Sequence, residues 1–328
     1  MSQTKPLVSI ILPTYNRANL IPDAINSILA QTYQNWELII WIDGSTDNTR
    51  EVLSSYDDHR IKIFSDKNHG MSYALNNAVK ASRSEYIAFL DDDDQWTDNK
   101  LSHQMTTLLN SPEIDLIFGN FCNINKANGK VGLGFEQNAI AMRYLKYKKV
   151  QNNSFLITDN FLKSISINNF IAFDSVIIRK KVIEKVGSFN ESLRNGQDFE
   201  YWWRLAILGA RFAYTTEVVL NRIKYPYSLS SSSLEAITNR ISSLDSCLEI
   251  TKANHRVDLI PYLHHPYRNA WQNLVIAYSK SGNLKMVLKA FFQSMRHGLS
   301  LGSFKLLLYV LVKLIRKNAN YDLPHSDE

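Results

Sequence analysis

The chain has 328 residues, 45% of them apolar and 21% charged, with 12 Gly, 8 Pro and 2 Cys. At about 150 residues per domain this length suggests two domains or one large one with an appendage, and the composition excludes collagen-like, low-complexity and wholly disordered chains. The net charge of +6 is uneven, because residues 251–328 hold 11 Lys and Arg against 4 Asp and Glu, while residues 1–250 hold 26 against 27.

The first half repeats one pattern of an apolar β-branched run, a turn and a segment with helical spacing. Leu7–Leu12, Trp36–Ile42, Arg60–Ser65 and Glu85–Leu90 read as strands, with helices over about 19–31, 46–56 and 70–82. Such alternation predicts a parallel sheet covered on both faces, whose ligands sit beyond the carboxyl ends of the strands. Three of those ends carry polar clusters: Pro13-Thr14-Tyr15-Asn16, Asp43-Gly44-Ser45-Thr46-Asp47 and Asp91-Asp92-Asp93-Asp94. Ser45 and Asp47 also suit a plain strand–turn–helix join, as helix N-caps.

From Ile114 the pattern is irregular, with a strand near 114–122, a turn at Asn128-Gly129 and a polar stretch over 150–169. That long middle is expected to hold a mobile loop over a substrate. A strand at Phe173–Ile178, a helix over 179–186 and an aromatic-rich helix over 197–208 follow. Ser230–Ser233 reads as a linker, and helical patterns near 234–253, 264–280, 284–297 and 303–317 form an appendage. The expected domains are therefore residues 1–229, divided near residue 120, and a helical region over 230–328.

Cys122 and Cys247 are too few for a disulfide framework or a metal knuckle and fit a reducing compartment. Leu7–Leu12 is too short for a signal peptide, and Leu306–Val312 is far below the ~20 apolar residues of a membrane span. A cytoplasmic location is the expectation. The histidines lack zinc spacing, and neither a Gly-x-Gly-x-x-Gly fingerprint nor a Walker loop is present.

Four adjacent carboxylates repel one another, and a folded chain tolerates them where a cation or several donors compensate, or where water does. A hard ion such as Mg²⁺ or Mn²⁺ takes a few carboxylates plus phosphate oxygens. Here the sequence resembles the family 2 nucleotide-sugar glycosyltransferases, inverting enzymes with the A-type fold. The resemblance covers roughly residues 6–225 and rests on six ordered motifs: Val8–Arg17; Gln31-Thr32-Tyr33 with Trp36–Ile40; Asp43–Thr49; Asn68-His69-Gly70; Ala88–Asp94 with Trp96; and Gly187–Glu191 leading to Gly196–Glu200.

The resemblance implies an α/β fold, a Rossmann-like A-type domain with a mostly parallel central sheet, followed by the helical region. It places Pro13, Thr14, Tyr15, Asp43, Asn68, Asp91 and Asp92 at a nucleotide, with Tyr15 stacked on the base, Asp43 bonded to it and Asp91 on the ribose. It assigns Asp93 to a Mn²⁺ or Mg²⁺ ion on the diphosphate and Asp198 to the catalytic base. Asp198 also reads as a charge at a helix N-terminus. Trp202 and Trp203 are candidates for an acceptor floor, although their helical spacing with Leu205 equally suits a core. The sequence departs from the family at Ile42, where an acidic residue is frequent, at Leu75, where Arg is frequent, and at Gln197, where Glu is common.

On the predicted helix 284–297, Lys285, Lys289 and Arg296 share a face, with Val287, Leu288, Phe291, Phe292 and Met295 assigned to the other side; Lys305, Lys313, Arg316 and Lys317 share an arc on 303–317. Basic amphipathic helices either lie on an anionic membrane surface or pack on a domain with the basic face in water. No nucleic-acid-reading motif accompanies them. The expected function is transfer of a sugar from a nucleotide-sugar donor, UDP-linked, to a hydroxyl of a glycan or lipid-linked saccharide in cell-surface polysaccharide synthesis. A nucleotidyltransferase would need a Gly-rich phosphate loop after the first strand. A catalytically degenerate scaffold is the remaining alternative.

Overall fold

The computed structural model describes residues 5–151, 153–225, 233–298, 304–310 and 312, and the chain divides into two compact units, residues 1–228 and 229–328. In the first unit the strands are β1 (Val8–Thr14), β2 (Trp36–Asp43), β3 (Ile61–Asp66), β4 (Tyr86–Phe89), β5 (Gln95–Trp96), β6 (Leu116–Asn125), β7 (Val131–Leu133), β8 (Lys146–Gln151), β9 (Ser154–Asp159), β10 (Ile177–Arg179) and β11 (Phe212–Lys224). They form one sheet in the order β3-β2-β1-β4-β10-β6-β11-β9-β8, with β5 on β11 and β7 on β6. From β3 to β11 every strand runs the same way except β10, which is antiparallel to both β4 and β6.

Helices cover both faces of the parallel part. Ile21, Ala24, Ile25 and Ile28 of α1 (Ile21–Leu29) recur at helical spacing and join Leu101, Met105 and Leu108 in one core with Val8, Ile10 and Leu12 of β1. After the short α2 (Thr49–Ser54), α3 (Met71–Ala81) packs on β1 and β2 from the other face. With β1 and β4 wholly buried, their sequences are the near-continuous apolar runs of a parallel sheet.

Glu37 breaks the apolar run of β2 and is buried. Its carboxylate accepts from Ser9 Oγ on β1 at 2.6 Å, from Lys62 Nζ on β3 at 2.9 Å and from the backbone and side chain of Arg83 at 2.8 and 2.9 Å, tying three strands together. Burial alone would raise its pKa, but these donors outweigh burial and bring it from 4.5 down to about 2.

The structure adds elements to those expected, namely α4 (Lys100–Asn110), β5 and the 13-residue β11. Two short helices, α5 (Gly134–Gln137) and α6 (Ala139–Met142), precede the β8–β9 hairpin. The stretch 150–169, read only as polar, contains β9 and α7 (Phe161–Ile167). The predicted strand at 173–178 is a 3₁₀ turn, Phe173–Ser175, followed by β10, and α8 (Lys180–Val186) and α9 (Gln197–Ile207) complete the unit.

The second unit consists of α10 (Leu234–Ala253), α11 (Ile260–Lys280), α12 (Leu284–Arg296) and a helical segment over 304–310. Ser233 caps α10 by accepting from Ala236 N; Ser230–Ser232 of the expected linker lie outside the described residues, as do Lys313, Arg316 and Lys317. Tyr267 of α11 joins its neighbours, donating to Asp245 Oδ1 of α10 at 2.6 Å and stacking on His297 just past α12. Phe292 departs from the expected apolar side. It is 60% exposed and lies within about 20–60° of the three basic residues of α12 at ~100° per residue. Among the described residues no helix is long and apolar enough to cross a membrane.

A Glu37→Gln variant is expected to lose about 2 kcal/mol at neutral pH through its weakened charged hydrogen bonds, measured by urea unfolding. Because the folded-state pKa is depressed, that contribution is complete above pH 4.5 and fades as the pH falls toward about 2. The two proteins should therefore converge in stability on acidification. A constant difference would contradict the clasp.

Candidate active site

Two strand-end loops are zipped together at the carboxyl edge. Asn16, with φ of 53°, accepts at Oδ1 from Thr46 N at 2.7 Å, and its own N–H donates to Ser45 Oγ at 3.0 Å. Arg17 N and Ala18 N donate to Thr49 Oγ1 and Asp47 Oδ2, both at 3.1 Å. Ser45 and Asp47 thus join the loop after β1 to the loop after β2. Asp47 also accepts from Thr49 N at 3.0 Å, while the residue at the N-cap of α2 is Asn48. Pro13 and Thr14 are buried in β1, whereas Tyr15 is 46% exposed, so Tyr15 is the one of the three that offers a ring to a ligand.

Asp43 closes β2 and is buried. Its Oδ1 accepts from His69 N at 2.8 Å and its Oδ2 from Gly70 N at 2.9 Å, so the carboxylate holds the start of α3. Gly44 lies against this loop with φ of +74°, and a Cβ there would fall 2.4 Å from Asn68 N. Asn68 itself is exposed.

The acidic quartet follows β4, as expected. Asp91 Oδ1 is buried and has no hydrogen-bond partner, while its N–H donates to Asp174 Oδ1 at 2.7 Å. Burial, followed by repulsion from Asp174 and the rest of the quartet, holds the Asp91 carboxyl well above the usual range. Burial likewise pushes Asp92 up to about 7, against the pull of Thr14 and of Arg17, whose Nε lies 3.5 Å from Asp92 Oδ1. Asp94 accepts from Ile223 N at 2.8 Å and is also pushed up, by burial and by Asp174. Asp94 is buried and Asp91, Asp92 and Asp93 are partly exposed, so a fully solvated acidic loop does not describe the quartet.

Asp174 was not among the residues singled out from the sequence. It sits in the 3₁₀ turn before β10, 83 residues from Asp91, and no local motif marks it. Lys100, also without exposure, bonds Gln104 Oε1 at 2.9 Å and lies over the Trp96 ring, with its pKa pushed well down by burial.

Asp198 occupies the first turn of α9, which starts from Gly196 with φ of 77°. It is half-buried, and Asn169 Nδ2 donates to its Oδ2 at 3.0 Å. Arg204 of the same helix pairs with buried Glu200 at 2.9 Å and donates to the carbonyls of Val186 and Ser188. Asn76 of α3 grips the same approach loop, accepting from Phe189 N at 2.9 Å and donating to Phe189 O at 3.0 Å. Thus α3, whose start is held by Asp43, also holds the segment leading to Asp198. Trp202 and Trp203 have no exposed surface, and Trp202 packs near Phe173. They belong to the core and present no face to an acceptor. Leu75 is fully buried too, so α3 supplies no cation at that place.

A separate groove of about 660 Å³ lies between α1, β5, α4 and β11, and its lining includes none of Tyr15, Asp43, Asp91–Asp94 or Asp198. Among the described residues no group of three or more His, Cys, Asp or Glu side chains forms a metal cage. A site of one or two carboxylates completed by phosphate oxygens fits Mg²⁺ or Mn²⁺, and the partnerless Asp91 Oδ1 is a buried acceptor that a hydroxyl donor or cation would satisfy.

Solved structures share this architecture. The crystal structure of S. aureus TarS 1-349 matches 88% of this chain and 90% of its own length at a TM-score of 0.55 and 14% identity. The mannosyltransferase PcManGT from Pyrobaculum calidifontis, solved with GDP-Man and Mn²⁺, matches 95% of this chain and 81% of its own length at a TM-score of 0.55 and 18% identity. These likenesses define the A-type glycosyltransferase fold. The model of glycosyl transferase family 2 matches residues 9–185, over half of the chain, and the chain belongs to that family.

Among sequence relatives, an uncharacterized glycosyltransferase of Rickettsia felis is 35% identical over 61% of this chain and 31% of its own length. Another, of Rickettsia typhi, is 30% identical over 72% of this chain and 74% of its own length. The Escherichia coli UDP-Glc:alpha-D-GlcNAc-diphosphoundecaprenol beta-1,3-glucosyltransferase WfgD is 40% identical over 45% of this chain and 56% of its own length.

Replacing Gly44 with Ala should cost about 1–3 kcal/mol, since a side chain is strained at this φ and its Cβ meets Asn68. Urea unfolding measures the loss. Wild-type stability in that variant would show that the Gly44–Asn68 approach does not constrain the site.

Proposed function

We propose that the chain is an inverting, cation-dependent glycosyltransferase that moves a sugar from a UDP-sugar to a hydroxyl of a glycan or lipid-linked saccharide in cell-surface polysaccharide synthesis. The observation that carries this reading is the cluster of carboxyl groups of Asp91–Asp94 at the end of β4, with a buried and partnerless Asp91 Oδ1. The named activity of WfgD supports a UDP donor and a lipid-linked acceptor, and TarS has been solved with UDP-GlcNAc.

In this reading the exposed ring of Tyr15 stacks on the base, an attraction of about 1–3 kcal/mol. Asp43 spends one lone pair of each oxygen on the backbone of His69 and Gly70, leaving others to accept from a base N–H. Asp91 Oδ1 accepts from a ribose hydroxyl, and Asp93 holds Mn²⁺ or Mg²⁺ together with diphosphate oxygens. When bound, the ion neutralises charge that develops on the departing diphosphate. Asp198, oriented by Asn169, takes the proton of the acceptor hydroxyl as its oxygen bonds the anomeric carbon and the bond from that carbon to UDP breaks on the opposite face.

The second unit bears on the acceptor. Phe292, Phe304, Leu308 and Tyr309 are exposed, as are Lys285, Lys289, Arg296 and Lys305. Apolar side chains among basic ones suit an anionic membrane surface, where a lipid-linked acceptor resides and where the enzyme would sit on the cytoplasmic face.

Asp198→Asn should lower transfer by about 10²–10⁴-fold while leaving UDP affinity intact in calorimetry, whereas Asp93→Ala should weaken UDP binding in the presence of Mn²⁺. Equal transfer by Asp198→Asn and wild type would refute the base. For the membrane contact, Phe292→Glu combined with Leu308→Glu should reduce co-sedimentation with phosphatidylglycerol vesicles while turnover on a soluble acceptor persists; unchanged co-sedimentation would remove it.

A further inference from the structure

We infer that Asp174 is a positioning residue for the diphosphate-binding carboxylates, setting the shape of the 91–94 turn from outside the motif. The inference rests on the proposed donor site and deepens it. Asp174 is 2% exposed and grips the quartet at both ends. Its Oδ1 accepts the Asp91 N–H at 2.7 Å, and its carboxyl is hydrogen-bonded to that of Asp94. Asp94 is fixed in turn on β11 by Ile223 N at 2.8 Å, with Arg222 Nε 3.9 Å away.

Asp174 is itself held firmly. Its backbone carbonyl accepts from Trp96 Nε1 at 2.9 Å, and its neighbour Ser175 presents a carbonyl to Gln104 Nε2 at 2.8 Å and caps its own turn through Ala172 O at 2.7 Å. The result is a rigid platform under the turn. With the Asp91 backbone and the Asp94 side chain both committed to it, Asp91 Oδ1 remains buried without a partner, and Asp93 lies between the two fixed points. A buried acid that used the quartet only for packing would have no reason to take the amide of its first residue and the carboxyl of its last. Partners that hydrogen-bond and orient ion-binding carboxylates matter nearly as much as the ligands themselves.

The test compares UDP with uridine, which lacks the diphosphate, by calorimetry on the full chain in Mn²⁺. Asp174→Ala should weaken UDP binding by about 10- to 100-fold and uridine binding, which draws on Asp91 at the ribose but not on Asp93, by a smaller factor. Asp174→Asn, whose amide can accept from Asp91 N–H and donate to Asp94, should stay close to wild type. Should Asp174→Ala fail to fold by circular dichroism, Asp174→Ser, too short to reach both ends, takes its place with the same expectation. Unchanged UDP affinity in the shortened variant, an equal loss of UDP and uridine, or a loss in Asp174→Asn as large as in Asp174→Ala would each overturn the inference. Failure of wild type to bind UDP with Mn²⁺ would instead overturn the proposed donor site.

Discussion

Five carboxyl groups, Asp91–Asp94 and Asp174, meet where β4 ends, and four of them have their pKa raised chiefly by burial. Such crowding is costly for ionised groups, and the protein meets it with several devices. Asp94 and Asp174 share a hydrogen bond, Arg17 lies beside Asp92, Arg222 lies near Asp94, and the buried Lys100 acts on Asp174 through space. A cation brought there with a diphosphate would reverse the local electrostatics. The site is thus organised around a charge problem that its proposed ligand relieves.

Other polar contacts connect the end of β2 to the loop before Asp198. Asp43 fastens the start of α3, Asn76 near its middle fastens the Phe189 loop, and Arg204 fastens the same loop from α9. Each contact satisfies backbone atoms, and at Phe189 these are buried and would be costly to leave unpaired. The Glu37 clasp stabilises the three parallel strands whose far ends carry Tyr15 and Asp43. One helix, α3, therefore links the end of β2 at Asp43 to the loop that leads to Asp198.

The parallel half of the fold was legible because buried parallel strands are continuous apolar runs, and the four predicted strands lie within a residue or two of the observed ones. The strand-end carboxylates followed from topology alone. By contrast, β11 carries mixed polar and apolar positions that do not alternate cleanly, whereas Leu101, Met105 and Leu108 of α4 recur at helical spacing, from which that helix could be read. Asp174 was invisible because its role arises when β10 inserts antiparallel between β4 and β6, a pairing that local pattern does not encode. The burial of Trp202 and Trp203 was available from their spacing with Leu205, and Phe292 could be read from its angle among the lysines, since both follow from helical geometry.

The most direct measurement is a crystal structure of the chain with UDP and Mn²⁺. The expected result is the ion on Asp93 at the diphosphate, the nucleotide base against Tyr15, and the Asp198 carboxylate facing the position of the anomeric carbon from the side away from the diphosphate. A nucleotide bound elsewhere, an ion that does not touch the quartet, or an Asp198 directed away from the sugar position would contradict it.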